Sequence, residues 1–138
     1  MLIRDQIVAS VRDMIGAPFV EKGRSKRGID CVGLLLVAAK AIGQDDIIDI
    51  LDYSLAPEVE KFMTYVVGQT DEAPKTPLMH GSIVLLRQAI YPMHCGILTT
   101  DKGRIQIVHA SVSRGVVETL YKPWARNFLK QRNYRGVI

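Results

Sequence analysis

Three side chains in this chain could together perform nucleophilic catalysis: Cys31, His94 and His109. Cys31 sits in Gly28-Ile29-Asp30-Cys31-Val32-Gly33, directly ahead of an apolar stretch running from Leu34 to Gly43. Asp30 is a good helix N-cap, because its carboxylate can accept the free N–H groups of the first turn, and Gly43 is a good stop. Cys31 then occupies the first helical position. There the unpaired N–H groups and the positive end of the helix dipole favour the thiolate, and the same N–H groups could receive a tetrahedral oxyanion. Such a cysteine needs a base, and the histidines on offer are His80, His94 and His109.

Strand parity decides which histidine can meet which group. His94 and Cys95 are neighbours in a strand-like run and so face opposite sides. A zinc centre from Cys31, His94, Cys95 and His109 is disfavoured on that ground, and the spacings fit no common zinc chelate. Around the turn at Lys102, an odd sum of paired residue numbers brings His109 to the His94 face, whereas an even sum sets it opposite Cys95. With the odd register, His94 would take the Cys31 proton and pass it to a leaving amine, while His109 would fix the His94 tautomer. Spacing alone leaves a packing role open, since cysteines in apolar helices are commonly core and strand histidines commonly half-exposed. Cys95 reads as a core thiol and His80 as a surface residue.

The elements that must hold these groups follow from periodicity. Ile3, Ile7, Val8, Val11, Met14 and Ile15 recur at helical spacing, ended by Gly16 and Pro18. Residues 19–29 read as a charged, glycine-bearing loop. Asp45, Asp46, Asp49 and Asp52 read as a solvated acidic connection rather than a cation site, since no EF-hand glycine pattern accompanies them. A further helix is expected from near Pro57, using Val59, Phe62, Met63 and Val66 and closing at Gly68, with residues 69–77 a polar linker. After Gly81 the texture turns to β-branched runs at 82–87, 94–100, 104–110 and 115–120, with a hairpin signal at Asp101-Lys102-Gly103. A brief helix at 123–131, with Trp124 and Phe128 facing in, leads to a last strand near 134–138. Helices first and antiparallel strands second predict an α+β fold, one domain over residues 1–138.

Composition narrows the class. Hydrophobic residues make up 48% of the 138, enough for a core without disulfides or metals. Two cysteines are too few for a disulfide scaffold. The longest apolar run is too short for a membrane span, and the N-terminus lacks a basic region followed by an apolar one, so no signal peptide is expected and the chain is read as cytoplasmic when made. The net charge of +4 leans toward anionic partners, with Arg24, Lys26 and Arg27 just before Cys31. No nucleic-acid recognition motif accompanies it. The reading calls for no cofactor and no metal.

Five ordered blocks resemble the NlpC-type cell-wall peptidases, a papain-like cysteine enzyme family. They are Gly16-Ala17-Pro18-Phe19-Val20, Gly28-Ile29-Asp30-Cys31-Val32-Gly33-Leu34, Gly81-Ser82-Ile83-Val84-Leu85-Leu86, His94-Cys95-Gly96-Ile97-Leu98 and Val108-His109-Ala110. The approach at residues 23–31 and the run at 111–118 are closer still to the branch found in phage tail clusters and gene transfer agents. The resemblance implies a papain-like domain, with N-terminal helices packed on an antiparallel sheet of about five strands. It implies Cys31 as nucleophile, His94 as base and His109 as orienter, acting on the γ-D-glutamyl bond to a diamino acid in peptidoglycan stem peptides. Asp30 would contact the free amine of the peptide and leave one oxygen free to do so. Arg24, with its basic loop, would attract stem carboxylates, and phage tail proteins would be partners in a virion tail.

Three positions depart from the family pattern, which usually has Tyr at Phe19, Ser at Val32 and Asp at Ser82. The missing tyrosine hydroxyl bears on rate and specificity more than on reaction class. Two alternatives remain: a tail-tip structural protein of the same fold without turnover, and a Cys-His amidase or acyltransferase acting on another amide.

Overall fold

The computed structural model describes residues 1–49, 59–88 and 94–138. Helix α1 (Ile3–Arg12) buries Ile7, Val8 and Val11 and ends earlier than Gly16. Two tighter turns follow, with the Met14 and Ile15 N–H groups donating to the Val11 and Arg12 carbonyls at 3.1 Å each. The charged segment after it is not all loop: β1 (Arg24–Ser25) and β2 (Gly28–Ile29) form a small antiparallel ladder. Helix α2 (Cys31–Ala41) begins at the cysteine, capped by the Asp30 carboxylate, which accepts from the Gly33 N–H at 2.9 Å. Gly43, at φ +80°, takes the left-handed turn that closes it. Gly33 is required by contact: a Cβ there would lie 2.6 Å from the Gly23 carbonyl oxygen, so only glycine lets the β1–β2 ribbon lie against α2.

Helix α3 (Val59–Gln69) runs through Gly68 rather than stopping there. Ile50, Leu51, Asp52, Pro57 and the side chain of Val59, all used in the sequence reading, lie outside the described residues. Part of the expected polar linker is strand β3 (Thr70–Glu72). Strands β4 (Ile83–Leu86), β5 (His94–Thr99), β6 (Gln106–Ser111) and β7 (Gly115–Leu120) fall on the four expected runs. A 3₁₀ helix (Lys122–Asn127) then leads into β8 (Phe128–Tyr134), so the last strand occupies residues assigned from the sequence to a helix. The main sheet has six strands rather than about five, in the order β3-β8-β4-β5-β6-β7, with every neighbouring pair antiparallel. The α+β reading is borne out.

The sheet is apolar on both faces. Ile83, Leu85, Cys95, Ile97, Val108 and Ala110 form one core with the three helices. Full burial of each large aliphatic side chain contributes ~1.5–3 kcal/mol. Tyr134 ties the last strand to this core through a 2.7 Å bond from its hydroxyl to the Leu35 carbonyl of α2. On the opposite face Val84, Leu86, Leu98, Ile107 and Tyr121 form a second cluster, against which Trp124 and Phe128 pack. The β5–β6 ladder pairs Ile97 with Val108 and Leu98 with Ile107, an odd sum, so His94 and His109 share the face carrying the second cluster. Among the described residues, no helix is long and apolar enough to cross a membrane.

Candidate active site

The N-terminus of α2 and the paired histidines of β5 and β6 open into one cleft of about 270 Å³, lined by Phe19, Cys31, His94, His109, Trp124 and the turn at 111–114. Each element holds its side chain by a separate device. Phe19 forms a parallel bridge with Ile29, supported by the Ile29 N–H donating to the Pro18 carbonyl at 3.1 Å, which seats it beside the first turn of α2. Cys31 is partly exposed, whereas Cys95 is wholly buried and its thiol donates to the Cys31 carbonyl over 3.6 Å. Cys95 is the core thiol expected from parity. The neighbouring Cys31 thiol and burial push the Cys95 pKa up, which keeps it protonated and inert.

His94 Nε2 and His109 Nδ1 lie 2.8 Å apart, and His109 Nε2 lies 3.1 Å from the Thr119 hydroxyl. Trp124 stacks on His94 at a ring separation of 5.1 Å and meets His109 edge-on at 5.6 Å. Both imidazoles are almost fully removed from water, with exposures of 6% and 2%. Burial, reinforced by His109, pushes the His94 pKa down to about 3; burial, reinforced by the Arg114 charge, pushes that of His109 down to about 4. Both rings are therefore neutral at pH 7, and one of the facing nitrogens must donate while the other accepts. If His94 donates from Nε2 to His109 Nδ1, and His109 donates from Nε2 to Thr119 Oγ1, every contact is satisfied. His94 Nδ1 is then left as the basic nitrogen available in the cleft. A base of this kind can accept a thiol proton, and the first N–H groups of α2 can receive an oxyanion.

Two side chains expected to contact substrate, Asp30 and Arg24, already have partners within the chain. Asp30 is 2% exposed and both of its oxygens are engaged: Oδ1 accepts from Gly33 N–H and from Arg24 Nη1, both at 2.9 Å, and Oδ2 accepts from Lys22 N–H at 2.7 Å. Its carboxylate helps to hold the β1–β2 ribbon to the helix. Arg24 is likewise occupied, paired with Asp30 at 2.9 Å and Asp49 at 3.0 Å, and Lys26 pairs with Asp13 at 3.0 Å. His80 is not a surface residue; its side chain is 15% exposed, its Nδ1 accepts the Thr100 N–H at 2.9 Å and its Nε2 lies 3.4 Å from Asp5. Val32 is a core residue, and Ser82 bonds Arg4 and Asn133 at 3.0 and 2.6 Å, so neither departure touches the cleft. Thr119, Trp124 as a ring partner of His94, and Arg114 were not singled out by sequence reasoning. Thr119 is the diagonal strand neighbour of His109 across β6–β7, in which His109 faces Val117, and only the register reveals that.

No protein-family model matches the chain. In sequence it is similar to the probable endopeptidase NlpC of Escherichia coli (strain K12), at 28% identity over 136 residues, covering 91% of this chain and 77% of that protein. In structure it is similar to an NlpC/P60 family protein from Bacillus cereus ATCC 10987, with a TM-score of 0.67 and 18% identity over 95% of this chain. The chain spans 40% of the length of that protein. It is also similar to the NlpC/p60 domain of peptidoglycan hydrolase SagA, with a TM-score of 0.64 and 18% identity over 94% of this chain and 97% of the domain. The fold is thus the papain-like one of NlpC/P60 domains.

Proposed function

We propose that this chain is a cysteine peptidase of the NlpC/P60 type that cleaves peptidoglycan stem peptides at the γ-D-glutamyl bond to a diamino acid. The observation that carries the reading is a neutral, buried His94, bonded to His109 and opening onto the cleft that also holds Cys31. In the reaction, His94 Nδ1 takes the Cys31 proton as the sulfur attacks the carbonyl carbon. The oxyanion forms against the N–H groups that open α2. Burial makes an isolated imidazolium costly, so the charge on His94 develops only as the anion forms beside it. Collapse of the tetrahedral intermediate gives a Cys31 thioester, and His94 returns the proton to the leaving amine. Water, deprotonated by the same nitrogen, then hydrolyses the thioester and restores the thiol. His109 acts throughout as the acceptor that fixes the His94 tautomer.

Likeness to an endopeptidase and to a peptidoglycan hydrolase domain supports the substrate class. The resemblance of residues 23–31 and 111–118 to the phage tail and gene transfer agent branch supports action as part of a tail structure, on a chain made in the cytoplasm. Phe19 favours a second reading, a catalytically weak protein with a structural role, because the cleft lacks the hydroxyl that the family usually supplies there. Incubating the purified protein with defined muropeptides and reading product masses separates the two. Cleavage between D-Glu and the diamino acid, abolished in Cys31→Ala, supports the peptidase. An absence of cleavage that Phe19→Tyr restores supports the weak form. No cleavage by either protein rejects the peptidase reading.

A further inference from the structure

The cleft around Cys31 adjoins a second groove of about 500 Å³ that shares Arg114 and Trp124 and extends past Thr119, Leu120, Pro123 and Asn127. Among the described residues lining the two, Arg114 is the only charged side chain, since both imidazoles are neutral. It is exposed, and among the described residues no carboxylate pairs with it. The turn that carries it is fixed. Ser111 pairs with Gly115 across the β6–β7 hairpin, and the Val116 N–H donates to the Ala17 carbonyl at 2.9 Å. Gly115 lies at φ +74°, where a Cβ would stand 2.2 Å from that same carbonyl oxygen. Arg114 therefore projects from a rigid hairpin docked on the segment that leads to Phe19.

The geometry points to Arg114 as the specificity-determining cation of the cleft, pairing with a free carboxylate on the leaving-group half of the substrate. This rests on the peptidase reading. The leaving amine must take its proton from His94, so the amine side of the scissile bond lies toward His94 and the Trp124 ring stacked on it, where the second groove begins. In a stem peptide the residue at that side is the diamino acid. A diamino acid with a side-chain carboxylate, such as diaminopimelate, can meet the guanidinium, whereas its amidated form has the same shape without the charge. The absence of any acidic side chain in the described lining argues that the groove on this side reads an anion.

The test compares kcat/KM for L-Ala-γ-D-Glu-diaminopimelate and for the same tripeptide with the diaminopimelate side-chain carboxylate amidated. An exposed, charge-assisted pair of this kind predicts a wild-type preference of roughly tenfold for the carboxylate, carried mainly by KM. Added salt shrinks that preference. Arg114→Gln brings the ratio near one, and Arg114→Lys, which keeps the charge but loses the bidentate fork, gives an intermediate ratio. Equal wild-type rates on the two peptides, or a preference that survives in Arg114→Gln, overturn the assignment and leave the peptidase reading standing. Cleavage of neither peptide by the wild type overturns both.

Discussion

His94 and His109 face each other across adjacent strands with Nε2 and Nδ1 2.8 Å apart and their rings at 83°, so a single shared proton links the tautomer of one to that of the other. The chain of donors ends on Thr119 Oγ1, 3.1 Å from His109 Nε2. Removing the acceptor frees the His94 ring to turn and to carry its proton on the wrong nitrogen. His109→Ala is expected to lower kcat by ~10²-fold with little change in KM, within the range general acid–base groups command. His109→Asn should retain more, since an amide oxygen can still accept from His94 Nε2. Thr119→Val should cost several-fold in kcat. Steady-state kinetics on one stem peptide checks the series, and equal activity in all three variants would show that His94 needs no orienter.

The buried imidazoles also make stability fall in acid. Their pKa values fall from 6.5 in the unfolded chain to about 3 for His94 and about 4 for His109 in the folded one. Above pH 6.5 neither state binds the proton and stability is full. As pH falls below 6.5 the unfolded chain takes up protons that the native site refuses, and stability declines until the native pKa values are reached. Each imidazole contributes a slope of up to ~1.4 kcal/mol per pH unit. Urea midpoints measured from pH 7 to pH 4 should fall steadily, and the double variant His94→Gln/His109→Gln should fall less steeply. Parallel profiles for the two proteins would contradict the burial of neutral rings.

Much of this site was legible in the sequence because local rules govern it. Asp30 before an apolar run marks a helix start, which fixed Cys31 at the first position of α2, and the period of two separated His94 from Cys95. Parity reduced the His94–His109 question to an odd or even register, and only the long-range ladder could answer it. Strand β3 and most of β8 were hidden because Thr70–Glu72 and the run Lys130, Gln131, Arg132, Asn133 are polar and pair with partners distant in the chain. The side chains of Gln131 and Arg132 are consumed by bonds to the carbonyls of Pro74 and Thr70, at 2.8 Å each, rather than by solvent. The role of Asp30 was half legible: capping is a local rule, but its ties to Lys22 and Arg24 depend on the fold of the ribbon beside it.

Those ties yield a prediction opposite to the one the sequence suggests. Asp30→Ala removes the cap and one acceptor each from the Lys22 N–H and the Arg24 guanidinium, for a cost of ~2–4 kcal/mol. Asp30→Asn keeps the cap and should cost about half as much. Neither variant should alter the ratio of cleavage rates for a stem peptide with a free N-terminal amine and its N-acetylated form, because the carboxylate is buried and engaged with Gly33, Arg24 and Lys22. Denaturant unfolding and paired rate measurements check both statements. A free-amine preference that disappears in Asp30→Asn would show that the carboxylate is released to substrate during turnover.

The central claim is that Cys31 carries the acyl group of a stem peptide with His94 as its base. The most direct measurement is an acid quench of the protein during turnover of L-Ala-γ-D-Glu-diaminopimelate, followed by mass analysis of its peptides. The expected result is an L-Ala-γ-D-Glu thioester on the peptide containing Cys31, none on Cys95, and none in His94→Ala. Diaminopimelate released at the wild-type rate by Cys31→Ala, or an acyl group found on Cys95 instead, would contradict it.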